Sequence, residues 1–515
     1  MTAPATATLV PEHSLVHKVI TISVMLATIM QALDSTIANV ALPHMQGSLA
    51  ATQDQMAWVL TSYIVAAAIT IPLTGWLAGY AGRKLVFLVS IAGFTVASIL
   101  CGLAETLPQM VIFRLLQGIC GAALVPLSQA ILFDINSQHN FGRAMAIWGV
   151  GVTIGPILGP ALGGYLTENY DWRWVFYINV PIGILAFLGL YLFLPESPVR
   201  KSKFDFFGFL TLSLGVGALQ MMLDRGELKD WFSSSEIVIE ATLAVLGFYL
   251  FIIHTLTFKN PFLNPELFKD RNFMIGNVLI FVIGIVLFAT LALIPPMLQN
   301  QLNYPVITAG LVTAPRGAGT MAAMFLVGRM IGVFDSRAIM AVGLGLTAYS
   351  LYIMTSYSLL TDTSAIISAG IVQGFGIGLA YVPLSTIAFA ELPATLRNEG
   401  TALFNLMRNL GSSIGISIVE ALLTQNTQIL HSVLGEHLIP YNLHANMAYM
   451  ANHVNVSTPA GLAALNGIVT NQAIMIAYID DYKLMMIMTL AVIPLLFLLR
   501  VPKKTKLPET PIAMD

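Results

Sequence analysis

Residues 149–164 read Gly-Val-Gly-Val-Thr-Ile-Gly-Pro-Ile-Leu-Gly-Pro-Ala-Leu-Gly-Gly. Within them Gly151, Gly155, Gly159 and Gly163 recur at four-residue spacing, and Pro156 and Pro160 follow two of them directly. Residues four apart share a helix face, so the stretch presents a bare stripe about three turns long. In water Gly and Pro are the poorest interior helix residues. In a bilayer the same stripe lets a neighbouring helix approach backbone to backbone, and neighbours re-satisfy the carbonyls that proline frees. Two readings follow: close packing of membrane helices, or a bendable seam in a transporter.

The composition around the stripe settles the solvent. The chain has 515 residues, of which 57% are hydrophobic and 10% charged, with a mean hydropathy of +0.79. Soluble domains carry about 25% charged residues, so this is a polytopic membrane protein. A net charge of -2 without a basic tract excludes a nucleic-acid binder. Cys101 and Cys120 both lie in apolar runs, which leaves no exposed disulfide framework. The polar N-terminus passes directly into an apolar run of spanning length without a cleavage site, so the first helix is expected to be retained.

A spanning helix needs about 20 apolar residues. Fourteen such runs fall near 19–42, 55–78, 85–104, 110–132, 144–166, 175–195, 206–223, 237–257, 273–297, 306–328, 338–357, 364–390, 398–423 and 483–500. An even count places both termini on one side. With that side inside, the inner loops hold most of the Lys and Arg, from Lys18, Arg83 and Lys84 to Lys503, Lys504 and Lys506. The outer loops hold only Arg173, Arg225, Lys229 and Lys483, the asymmetry expected of inner and outer loops. An internal echo is visible: Gln117-Gly118 precedes Val125-Pro126-Leu127-Ser128, and Gln373-Gly374 precedes Val382-Pro383-Leu384-Ser385. Parallel halves of this kind are a transporter architecture. The expected organisation is an N-terminal segment 1–18, a six-helix bundle 19–200, two inserted helices 201–260, a second bundle 261–500 and a tail 501–515. Residues 424–482 are expected to form a long outer loop, a small folded unit and candidate partner surface in which Thr458-Pro459 starts a helix. Its His431, His437, His444 and His453 are too widely spaced for a local ligand pair, so no metal is expected.

Few residues in the apolar runs carry chemistry. Asp34 lies well inside the first run, with Gln31 and Ser35 on its polar stripe. Intramembrane ionisable groups are functional by default, and burial favours the neutral form of a carboxylate, so Asp34 is a candidate proton or cation carrier. The bland alternative is a permanent structural partner of an arginine. Arg114 and Gln117 share a face of the fourth run, and Arg114 needs a counter-ion or a wet cavity. An arginine that approaches and leaves Asp34 would make a proton switch; one that stays would make a static pair. Asn405, Arg408, Asn409 and Ser412 form a polar stripe on the thirteenth run, either an interhelical bonding strip or a cavity wall. Arg316 follows Pro315 and either meets an anionic substrate or pairs with Glu420 or a carbonyl, the second being preferred. Gln31, Gln117, Asn405, Arg408, Asn409 and Arg316 are thus the substrate-cavity candidates. Phosphate-binding loops, zinc-protease motifs and nucleophile elbows are absent from the sequence.

These motifs together resemble the major facilitator superfamily, in its fourteen-helix drug:proton antiporter branch. The carriers are Leu33-Asp34-Ser35-Thr36-Ile37-Ala38-Asn39-Val40-Ala41-Leu42-Pro43, Arg114-Leu115-Leu116-Gln117-Gly118, the Gly151 to Gly164 stretch, and Trp172-Arg173-Trp174 through Asn179-Val180-Pro181-Ile182-Gly183. Met222-Leu223-Asp224-Arg225-Gly226 with Asp230-Trp231-Phe232-Ser233-Ser234 also matches. The resemblance implies an all-α major facilitator fold of two six-helix bundles plus two central helices, with both termini cytoplasmic. It implies proton-driven export of hydrophobic or amphipathic compounds, with Asp34 and Arg114 in coupling and protons as the only coupling species. It also implies a bacterial inner-membrane location, a periplasmic adaptor of the EmrA type and an outer-membrane channel of the TolC type. The loop after the second helix departs from the family pattern: Gly75, Leu77, Ala78, Gly82, Arg83 and Lys84 are kept, but Gly79 and Tyr80 replace an acid and an arginine. No charge latch is expected there, and Asp335 with Arg337 is the expected substitute. Gly370 stands where the second half would echo Arg114, so coupling is expected in the first half. The alternatives are a metabolite importer on the same fold, against which the Gly-Pro seam argues, and a membrane-embedded lipid-modifying enzyme, for which the sequence offers no nucleophile or metal cluster.

Overall fold

The computed structural model describes residues 14–137, 140–197, 199, 203–331, 333–436 and 458–500. The first half comprises α1 (Leu15–Ser48), α2 (Gln53–Ala81), α3 (Arg83–Gly102), α4 (Leu107–Gly121), α5 (Leu124–Ile135), α6 (Phe141–Asn169), the single turn α7 (Trp174–Tyr177) and α8 (Asn179–Phe193). The hairpin of α9 (Phe206–Arg225) and α10 (Ser235–Thr257) follows. The second half comprises α11 (Arg271–Pro296), α12 (Val306–Met330), α13 (Ser336–Met354), α14 (Thr363–Ala390), α15 (Arg397–Glu436) and α16 (Pro459–Val492). Among the described residues, 13 helical runs are long and apolar enough to cross a membrane. They do not include α12, which has the length of a span and packs between α14 and α6.

Local chemistry sets the helix starts. Thr52, Thr106, Asp205, Asp270, Asp335, Asp362 and Thr458 each accept a backbone N–H of the following first turn. The fourth run divides into α4 and α5 at Ala122–Ala123, where Pro126 has no N–H to return to residue 122.

The echo in sequence is an echo in packing. In the first half α1 lies on α6, and α4 lies on α2 and α3; in the second α11 lies on α15, and α14 lies on α12 and α13. A Cβ on Gly118 would strike the Tyr63 carbonyl of α2, and one on Gly374 would strike the Arg316 carbonyl of α12. Tyr63 and Arg316 therefore hold corresponding places. The halves meet where α6 runs along α12 and where α2 and α5 meet α15.

One end of this seam carries a charge knot that the sequence reading did not expect. Arg83 ion-pairs with Asp134 at the end of α5, Arg397 lies 3.5 Å from the same carboxylate, and the Arg83 Nε donates to Asn398 Oδ1. The loop after α2 thus ties the halves together without charge at Gly79 or Tyr80, because the acid comes from α5. The expected substitute stays local: Asp335 caps α13 and pairs with Arg337 at 3.3 Å, and Arg337 donates to the Leu499 carbonyl within the second half.

The segment 424–482 is also corrected. It is not a separate folded unit at its ends: α15 continues to Glu436 and α16 begins at Pro459, with Thr458 capping as the sequence suggested. At about 1.5 Å per residue, α15 is roughly 60 Å long, about twice the hydrocarbon thickness. The helix that carries the final apolar run starts at Pro459, well before residue 483. His431 bonds Asn466 at 3.0 Å, joining the two extensions. His437, His444 and His453 lie outside the described residues.

Gly75 marks a close backbone approach of α2 to α15, where an added Cβ would sit 2.9 Å from the Glu399 Cα; Gly79, one turn on, has open space. Gly75→Ala is expected to lower stability in detergent by about 1–3 kcal/mol. Gly79→Ala should leave it unchanged or slightly raised. Thermal unfolding of the two purified variants checks both.

Candidate functional site: a buried acid held by four helices

Asp34 of α1 is fully buried, as are Gln117 of α4, Ser98 of α3 and Asn179 of α8; Arg114 of α4 is 1% exposed. The Arg114 Nη1 donates to Asp34 Oδ2 at 2.8 Å. Asp34 Oδ1 accepts from Gln117 Nε2 at 2.9 Å and from Asn179 Nδ2 at 2.8 Å. Both amides also donate to Ser98 Oγ, at 2.6 and 3.0 Å. Arg114 also donates from Nη1 to Gln117 Oε1, 2.7 Å away, and from Nε to the Val59 carbonyl, 3.2 Å away, while its guanidinium lies 4.3 Å from the centre of the Tyr63 ring. Gln31 joins indirectly, donating to the Tyr63 hydroxyl at 3.2 Å. A buried charge without such partners costs several kcal/mol. Here the carboxylate has three donors and the arginine an acid, two acceptors and an aromatic face, so the ionised pair is compensated in this conformation.

The glycine stripe explains how Asp34 comes to this place. A Cβ on Gly155 would collide with the Ala32 backbone and one on Gly159 with Thr36, so α6 presses directly on the two turns of α1 that bracket Asp34. Thr36 seals the contact by donating to the Gly155 carbonyl at 3.2 Å. Gly151 and Gly163 continue the stripe beneath Met25 and Ile37. Pro156 and Pro160 lie within α6, which stays helical from Phe141 to Asn169; their side chains fall outside the described residues. Away from α1, α6 meets α12: Gly149 lies under Met324, and Ile157 fills the space over Gly317.

The expected cavity residues separate into three places. Gln31 and Gln117 belong to the Asp34 network. Asn405 donates to Gln129 Oε1 of α5 at 3.1 Å, bridging the two halves in a fully buried position, while Arg408 and Asn409 bond each other at 3.4 Å and are half-buried. Arg316 is 6% exposed and donates to the Leu287 carbonyl at 3.1 Å; its Nη1 has no partner among the described residues. It therefore meets a carbonyl, as preferred from sequence, and not Glu420. Sequence reasoning missed Ser98, Asn179 and Tyr63 as members of the site. Asn179 stood in a quoted motif; Ser98 and Tyr63 are of types too common in membrane helices to signal anything alone.

Two matched helical sets with one compensated acid–arginine pair inside the first define a polytopic membrane transporter. Residues 24–416 match the Major Facilitator Superfamily, and the chain belongs to it. It is a multi-pass transporter and not an enzyme. The chain is 35% identical to the fatty acid resistance protein FarB of Neisseria gonorrhoeae, over 94% of this chain and 96% of that one. It is 38% identical to the multidrug export protein EmrB of Escherichia coli K12, over 84% and 85%. The fold is that of the proton:xylose symporter XylE, with a TM-score of 0.61 at 13% identity over 93% of this chain and 96% of that chain.

A pair that is compensated only when complete should show strong coupling. Arg114→Met leaves Asp34 buried without its cation and is expected to cost about 3–5 kcal/mol. Asp34→Asn with Arg114→Met removes both charges and should recover part of that loss. Unfolding of the four proteins in a double-mutant cycle gives the coupling.

Proposed function

We propose that this protein is a proton-driven antiporter that exports hydrophobic and amphipathic toxic compounds. The observation that carries the reading is Asp34, fully buried and held by Arg114, Gln117 and Asn179. Protonation would cancel its charge and release Arg114, and the two charge states favour different arrangements of α1 and α4. A charge moved across the membrane is worth about 2.3 kcal/mol per 100 mV. That is a roughly fifty-fold bias on a balanced two-state protein. No cofactor is required beyond the proton.

Export rather than import is supported by the relatives, one named for multidrug export and one for fatty acid resistance. The Gly155 and Gly159 contacts put the seam directly against the helix of Asp34, where a bend in α6 would move it. Cytoplasmic termini are supported by the Lys and Arg asymmetry; placement in a bacterial inner membrane is part of the same proposal and rests on the family resemblance. A periplasmic adaptor and an outer-membrane channel complete the proposed system, with the extensions of α15 and α16 as the docking surface. Arg316, buried with an unused Nη1, supports substrates with an anionic head.

The test is substrate efflux from proteoliposomes under an imposed pH gradient. Asp34→Asn should abolish the gradient-driven component while leaving the protein folded; full gradient-driven efflux in that variant removes the carrier role. Arg316→Ala should raise KM for an anionic amphipath about ten-fold or more and spare a neutral one, as expected for loss of a charge-assisted contact worth about 1.5–3 kcal/mol. Equal effects on both substrates would remove the head-group role.

A further inference from the structure

Asp481 lies on α16, in a stretch that the sequence reading had placed in a loop. It is 1% exposed, and neither carboxylate oxygen has a hydrogen-bond partner among the described residues. That is the opposite of Asp34, whose oxygens take three donors. An ionised carboxylate removed from water with neither donors nor cation is strongly disfavoured, and the group neutralises instead.

The groups around it supply no cation. On α16 itself, Tyr478 and Tyr482 lie within electrostatic reach, and neighbouring Asp480 is taken by Lys483 at 3.2 Å. Asp480 is the like charge that acts on Asp481, and from α15 Glu420 comes within electrostatic reach of Tyr478. From the turn after α13, the Tyr357 ring lies 6.1 Å from that of Tyr482. The turn after α11 contributes Met297, whose sulfur accepts from the Tyr482 hydroxyl at 3.5 Å, and no ionisable side chain. Arg316 of α12 lies within electrostatic reach of Tyr482, but among the described residues neither its Nη1 nor either Asp481 oxygen has a hydrogen-bond partner. The hydrogen bond of Arg316 goes to Leu287.

The pseudo-repeat gives the position a meaning. Gln117 bonds Asp34 in the first half; its echo Gln373 bonds Thr290 of α11 at 3.2 Å, and Thr290 in turn meets Met485 of α16 at 3.6 Å. Thr290 thus occupies the place of the acid, and Asp481 stands one helical turn along α16 from Met485. The second half has no acid at that place and carries one on a neighbouring helix of the same core.

We propose that Asp481 is a proton-binding carboxyl of the second half, neutral in this conformation and ionised when α16 parts from its neighbours, so that each half carries one exchangeable proton. The proposal rests on the proton-driven reading for its role in transport, but not for its protonation. It is tested on the full chain in liposomes in two ways. Infrared difference spectra between alkaline and mildly acidic buffer should show a protonated-carboxyl stretch that Asp481→Asn removes and Asp34→Asn leaves in place. Protons moved per substrate exported should fall about two-fold in Asp481→Asn and return in Asp481→Glu. An unchanged spectrum or an unchanged proton count in Asp481→Asn overturns the proposal. Absence of gradient-driven efflux from the unmodified protein, with the Asp481 band intact, would overturn the proton-driven reading and uphold the protonated carboxyl.

Discussion

A charge buried among apolar helices must be compensated where it stands, and the first half of this protein is arranged around that demand. Asp34 draws donors from α4 and α8, and Ser98 of α3 ties the two amides together. Arg114 adds the backbone of α2 to the same network. A shift of α2, α4 or α8 breaks a bond to the acid or to its arginine, and a shift of α3 breaks the bonds of Ser98 to the two amides. The packing of α1 on α6 serves the same end: only glycine lets the backbones come close enough to hold Asp34 at that depth.

The second half repeats the packing without repeating the charges. Gln373 and Gly374 sit as Gln117 and Gly118 do, but Thr290 replaces the acid, Gly370 the arginine, and Arg316 occupies the place of Tyr63. A duplicated scaffold has been given different electrostatics on its two sides. The compensated pair is on one side; the uncompensated groups, Arg316 and Asp481, are on the other. Such a division suits the proposed cycle, in which the acid of one half is held ionised by its partners and the acid of the other is left to take up a proton.

The halves communicate through contiguous contacts. One face of α6 carries α1 and its acid, and another runs along α12, which bears Arg316. At one end of the seam Asp134 holds Arg83 and Arg397 together across the halves. Rocking of the bundles in the proposed cycle must break this charge knot, which lies at the rim where water can resolvate the separated ions.

Most of the spans, the duplicated halves, the Asp34–Arg114 pair and the closeness of the Gly151–Gly163 stripe to a neighbour were legible in the residues, because hydropathy, spacing and the cost of intramembrane charge act locally along the chain. The partners were not. Asn179 reaches Asp34 from 145 residues away, Ser98 meets the amides of Gln117 and Asn179 and not the acid itself, and Asp134 supplies the latch that the loop after α2 lacks; the distances in sequence carry no trace of those meetings. Asp481 looked like a loop residue because charged neighbours lower the hydropathy of its stretch, yet tertiary packing buries it. Sequence alone determined that the chain crosses a membrane many times and carries a rare acid inside it. Only the folded arrangement decided which charges are satisfied and which are left over, since compensation depends on donors brought together from helices far apart in the chain.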